Sequence, residues 1–102
     1  MSVSPLLFVE GELDLATAPA VEKRLLRELA EVLGDLPTGT PVLLDCAQLT
    51  FICSTGLAML IRLSEAIHGR LQLVNVRNNC ARVFSATALE EYFGITQPQL
   101  VE

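Results

Sequence analysis

Three side chains able to act as nucleophiles or proton carriers stand in a row in FICSTGL, residues 51–57. They are Cys53, Ser54 and Thr55, and Gly56 follows them. If a helix opens here, its first turn leaves backbone N–H groups unpaired, and its macrodipole places roughly +0.5 charge at that end. Three uses fit such a place. A free phosphate or nucleotide could bind, since an anion gains from both effects. Ser54 could itself carry a covalently attached phosphate. Alternatively, Ser54 or Thr55 could simply cap the helix, a common use of a hydroxyl at that position.

Catalysis is a weaker expectation. The single histidine, His68, lies near the other end of the same helical stretch. It is about 20 Å from Ser54 on a helix that rises 1.5 Å per residue, beyond the reach of proton transfer. The same distance separates it from Cys53. A phosphate-binding G-x-x-x-x-G-K-[ST] loop and a G-x-S-x-G elbow are both missing. Cys53 at a helix N-terminus would gain some thiolate character, but a small, mostly buried side chain is the simpler reading. The chain is therefore expected not to be an enzyme, with no catalytic residue, metal or cofactor.

The elements that must hold these residues follow from the pattern. LLFVE (6–10) is β-branched and aromatic enough for a strand, with Gly11 ending it. The stretch GELDLATAPA then reads as a loop leading to a helix, with Thr17 as N-cap and Pro19 in the first turn. Val21, Leu25, Leu29 and Val32 form one apolar stripe, and Gly34 stops it. VLLD (42–45) reads as a covered strand. CAQLTFIC links it to the next helix, with Leu49, Phe51 and Ile52 tucked inward. That helix, STGLAMLIRLSEAIHG, puts Ser54 or Thr55 at its cap and Leu57, Leu60, Ile61 and Ile67 on one face. Met59 and Leu63 sit at the margin of that face, so the apolar arc is wider than one core contact needs. RLQLVNV (70–76) alternates as a strand. NNCARVFSATALEEYFGI reads as a third helix from an asparagine cap, anchored by Val83, Phe84 and Leu89. The order β-α-β-α-β-α implies parallel neighbours joined by right-handed crossovers.

With 102 residues, 51% hydrophobic and 19% charged, the chain has the size and composition of one globular domain. A net charge of −5 argues against nucleic acid, which needs a basic face. Lys23, Arg24 and Arg27 are interleaved with Glu22, Glu28 and Glu31, as on a solvated helix face. Three cysteines without a C-x-x-C spacing imply reduced thiols and a cytoplasmic location. No apolar run reaches the ~20 residues that a membrane span requires. Without a basic leader segment, the N-terminus reads as that of the mature protein.

Taken together, GELDLATAPAVEKRL (11–25), VLLDCAQLTFICSTGLAML (42–60), RLQLVNVRNNCARVF (70–84) and ALEEYFGI (88–95) resemble the STAS domain. Within that family they resemble the bacterial anti-sigma factor antagonists. The resemblance spans almost the whole chain and rests most on G-E-L-D together with the D-x-x-x-x-x-F-I-x-S-[ST]-G-L block. It implies a single STAS domain over 1–102, an α/β fold with one mixed β-sheet of four to five strands and helices mainly on one face. It also implies a transcription-regulating cycle. The unmodified protein binds an anti-sigma factor that is also a serine kinase, and so frees a sigma factor. Phosphorylation dissolves the complex, and a phosphatase resets it. By motif position the phosphoacceptor is Ser54, and the family's acidic loop residue corresponds to Asp14. Cys53, Thr55, Gly56, Met59 and Leu63 would then complete the partner-binding and switching surface.

One residue departs from the pattern. Cys53 stands where the family usually has aspartate. The loss of that carboxylate either weakens kinase recognition or eases the phosphate's position by removing a like charge. The N-terminus is also short, so a first strand common in the family is expected to be reduced or to come from residues 1–5. The alternative function is a STAS module serving as a scaffold in a stress-signalling complex, or as an accessory subunit of a lipid-transport ATPase, with Ser54 only a cap.

Overall fold

Leu6–Leu13 forms β1, longer than the sequence pattern implies, because Gly11 lies within the strand and does not end it. The computed structural model describes residues 4–34, 37 and 39–95. In chain order, β1 is followed by α1 (Ala18–Leu33), β2 (Val42–Ile52), α2 (Ser54–Ala66), β3 (Leu71–Val74) and α3 (Asn78–Ala86). Among the described residues the sheet has three strands in the order β1-β2-β3, and both pairings are parallel. Those described residues thus form a three-stranded, wholly parallel sheet, where the expectation is a mixed one of four to five strands. Ser4 and Pro5 are not in a strand, although the Pro5 carbonyl accepts from the Leu43 N–H at 2.9 Å. Residues 1–3 and 96–102 lie outside the described part.

Strand order explains the layering. Each step from one strand to its neighbour passes through one helix, and two crossovers of the same hand moving in the same direction put both helices on one face. Burial agrees. Leu7, Val9, Val42, Leu44, Cys46, Leu71 and Leu73 are buried under the helices, while Leu6, Phe8 and Gln72 on the other side are exposed.

β2 runs on to Ile52, where the sequence suggests a linker after Asp45. Two register shifts against β1, between Phe8 and Glu10 and between Gly11 and Glu12, give β2 extra residues. The buried residues Cys46, Leu49 and Ile52 therefore fall three apart, and alternation fails. Gly11 takes φ +77° at the second shift, a conformation that costs glycine nothing. Phe51, expected inside, is 46% exposed because the second shift turns it to the open face and leaves Ile52 inside.

β3 stops at Val74, which leaves carbonyls on the edge of β2 without a strand partner. The start of α3 takes them. Arg77 Nε donates to the Ala47 carbonyl at 2.9 Å, Asn79 Nδ2 to Thr50 at 2.8 Å, and the Cys80 thiol to Leu49 at 3.7 Å. The N-cap of α3 is thus Arg77 and not an asparagine, and no side chain caps it. The other edge of the sheet is held by Arg24, whose Nη2 donates to the Phe8 carbonyl at 2.8 Å. After α3, Phe93 returns to the core. It packs edge-on against Phe84 with ring centroids 5.5 Å apart, and its carbonyl accepts from the Leu73 N–H.

Candidate functional site

The FICSTGL segment is a strand end, one extended residue and a helix start. Cys53 has φ −114° and ψ −176°, and its N–H donates to the Leu13 carbonyl at 3.1 Å. Its own carbonyl accepts the first helical bond, from Leu57 at 2.9 Å. Cys53 is therefore the N-cap and Ser54 the first helical residue, a correction to the expectation that a hydroxyl takes the cap. Ser54 is exposed and Thr55 half-buried. The first turn of α2 contains no acidic residue, so no carboxylate of its own helix offsets the positive end of the dipole.

Cys53 is half-buried. Its side chain closes no cap hydrogen bond, yet the N–H of Gly56 holds its thiol below the ordinary value. The N–H and hydroxyl of Thr55 add to this, while burial and the Asp14 carboxylate work against it. The thiol thus faces the donors that an aspartate would face at the same position.

Asp14 lies directly after Leu13, whose carbonyl anchors Cys53. Its Oδ1 accepts from the Ala16 and Thr17 N–H groups, both at 3.0 Å, while its own N–H donates to Thr17 Oγ1 at 2.9 Å. The Thr17 hydroxyl in turn donates to the Glu12 carbonyl at 2.7 Å. Thr17 is the N-cap of α1 by position, but its side chain folds back into this loop and does not cap the helix. The closed loop leaves Leu15, between Asp14 and the helix, 75% exposed.

Asp14, Cys53, Ser54 and Thr55 are therefore brought together at the carboxyl end of β1 and β2. Gly56, Met59 and Leu63 are not part of that surface, because all three are buried. Gly56 sits against Leu13 and Ile52. Met59 and Leu63 belong to the buried core, and on the α1 side of α2 the exposed Arg62 forks onto Glu22 of α1 at 2.8 and 3.1 Å. Their wide apolar arc serves two contacts, with the sheet and with α1. Leu15 and Phe51 are the exposed apolar side chains at this end that sequence reasoning missed. Phe51 was hidden by the register shift, and Leu15 by a loop that carries no periodic signal.

Among the described residues, no cluster of three or more His, Cys, Asp or Glu side chains could hold a metal ion, and no helix is long and apolar enough to cross a membrane. No curated protein matches the chain. The strand–cap–helix arrangement around Ser54 and the helices gathered on one face of a parallel sheet stand beside a match to the STAS domain over residues 3–102, and the chain belongs to that family.

Proposed function

We propose that this STAS domain is a cytoplasmic anti-sigma factor antagonist, a binding module and not an enzyme. Its partner would be an anti-sigma factor with serine kinase activity, and Ser54 would be the phosphoacceptor. The supporting observation is the division of labour at the head of α2. Cys53 occupies the cap, which leaves the Ser54 hydroxyl exposed at the first helical position. Phosphorylation there adds roughly −1.5 to −2 charge. The helix end can hold that charge, so the fold survives. A partner seated on the Asp14–Thr17 loop and Cys53–Thr55 would have to desolvate it, at a cost of about several kcal/mol, enough to change affinity by orders of magnitude. The switch thus acts on binding and not on folding, and a phosphatase resets it.

The test is incubation with candidate anti-sigma kinases and ATP, with the phosphate mapped by mass spectrometry and affinity measured before and after. Modification lost in Ser54→Ala, with binding weakened by modification, is the expected result. Equal affinity of the phosphorylated and unmodified protein for the anti-sigma factor refutes the switch. Cys53 in place of the usual aspartate favours a second reading, a scaffold or accessory subunit without phospho-switching. Under that reading, pull-downs would recover a stress-signalling assembly or an ATPase subunit, and no kinase that binds would modify Ser54.

A further inference from the structure

The three strands contain no lysine, arginine or histidine. The register shows what the face without helices presents instead, because paired residues of neighbouring strands point the same way. Leu6 stands beside Leu43, Phe8 beside Asp45, Glu10 beside Gln48, and Glu12 beside Phe51. None of these side chains is buried. Apolar and acidic groups are therefore intermixed in four successive rows. Parallel sheets are ordinarily covered on both faces, so a bare face of this composition calls for a cover.

No cation answers the carboxylates on that face. Asp45 Oδ1 accepts from the Ala47 N–H at 2.9 Å and from Asn75 Nδ2 at 3.2 Å, both neutral donors. Glu10 and Glu12 make no ion pair among the described residues. Two arginines reach the sheet, but at its edges and onto backbone carbonyls, Arg24 onto Phe8 and Arg77 onto Ala47. The basic residues of α1 lie on the opposite side of the sheet, and TQPQLVE, residues 96–102, contains no basic side chain. The missing positive charge must come from another molecule.

We propose that the open sheet face docks a cationic amphipathic helix of a partner protein. A three-stranded sheet is about 10 Å between its outer strands, the width of one helix. The four rows follow at about 6.7 Å and span about 20 Å, which about 14 residues of helix cover. A helix lying along the strands passes roughly one row per turn of 5.4 Å. Its successive turns must then offer apolar side chains to Leu6 and Leu43, an apolar side chain and a cation to Phe8 and Asp45, a cation to Glu10, and a cation and an apolar side chain to Glu12 and Phe51. Such alternation at steps of three and four is ordinary for a helical binding segment. A wholly apolar helix would bury the carboxylates unpaired, and an anionic lipid surface would be repelled. The contact is small, about 1,000 Å² or less in total, in the range of weak, reversible association.

The test titrates the isotope-labelled protein with an alanine-based helical peptide that carries leucine and lysine in that order, and with a counterpart in which glutamate replaces every lysine. Amide NMR signals report both affinity and place. The lysine peptide is expected to shift signals of β1 and β2 and to bind about tenfold more weakly when salt screens the charges. Glu10→Lys/Glu12→Lys and Phe8→Ser, all at exposed positions, should each weaken it by about tenfold or more, while their well-dispersed spectra show that they fold. The glutamate peptide should not bind. A lysine peptide that does not bind, shifts confined to the helices, indifference to salt, full affinity in either variant, or equal binding of the glutamate peptide overturns the proposal. Binding seen only after residues 96–102 are deleted, or only after a self-associated wild type is diluted to monomer, names another occupant and overturns it as well.

Discussion

A methyl group on Gly56 would stand 2.6 Å from the Leu13 carbonyl oxygen and 2.8 Å from Leu13 Cγ. The first turn of α2 therefore rests directly on the end of β1. The oxygen it would strike is the one that accepts the Cys53 N–H. Gly56→Ala must push the cap and the strand apart, and overpacking of this kind costs about 1–3 kcal/mol. The expected outcome is a lower denaturation midpoint in urea, together with slower modification of Ser54 by any kinase that accepts it. An unchanged midpoint would mean that the helix can slide away from Leu13 at no cost.

The charge tolerance of Ser54 can be tested without a partner. An acidic side chain at the first position of α2 faces unpaired N–H groups and the positive end of the dipole, with no acid in that turn to oppose it. Ser54→Asp is expected to stabilise the domain by about 0.3–1 kcal/mol at low salt, and the gain should shrink as salt screens it. A loss of stability, read by thermal melting at two ionic strengths, would show that the site rejects negative charge.

The buried thiols make the domain sensitive to alkali. Burial, with smaller contributions from Cys80 and Asp45, pushes the Cys46 thiol up to about 12. Cys80 is also raised, chiefly by burial. Because the folded values lie above the unfolded ones, the stability contribution is intact below the unfolded value near pH 9. It is lost as pH climbs toward 12, when the unfolded chain ionises first. For Cys46 that amounts to about 4 kcal/mol across the interval, at 1.36 kcal/mol per pH unit. Urea midpoints should be level from pH 7 to 8.5 and fall steeply above 9. Cys46→Ala, at a cost of about 1 kcal/mol at neutral pH, should flatten the fall but not abolish it, since Cys80 remains.

Phe93 fastens the segment after α3 to the core. Its ring lies edge-on to Phe84 and also 4.9 Å from Tyr92, and its carbonyl accepts from the outer edge of β3. Phe93→Ala is expected to cost about 3–5 kcal/mol. A double-mutant cycle with Phe84→Ala should show a coupling of about 0.5–1.5 kcal/mol. Additive losses would mean that the two rings do not meet in solution.

The helices were legible in the sequence because their stripes repeat without interruption. Val21, Leu25, Leu29 and Val32 predict α1, and the half-buried and buried positions fall on them. Strand lengths were not legible. β2 looks like a loop after Asp45 because two register shifts break the period of two, and the same shifts exchange Phe51 for Ile52 at the core. The site was legible as a motif but not as a surface. Asp14 and Ser54 come together at one end of the sheet, yet Met59 and Leu63 are buried. The width of the apolar arc signals more than one contact, but not whether the second is made within the chain or with a partner. The cap was misassigned because a hydroxyl is the usual choice there, whereas the extended backbone of Cys53 decides the matter.

Ser64 is fully buried in α2, and among the described residues its Oγ has no hydrogen-bond partner. Its backbone carbonyl, by contrast, is occupied, accepting from Ile67 at 3.1 Å and Gly69 at 2.8 Å at the end of the helix. An unpaired buried hydroxyl costs about 1–3 kcal/mol, and alanine is also the better helix former. Removing the oxygen leaves a void smaller than a methyl group, so little packing is lost. Ser64→Ala is therefore expected to raise stability by about 1 kcal/mol, measured as a higher urea midpoint with an unchanged slope. A drop of similar size would mean that the hydroxyl finds a partner in the folded protein, and that the polar atom helps to hold α2 in place.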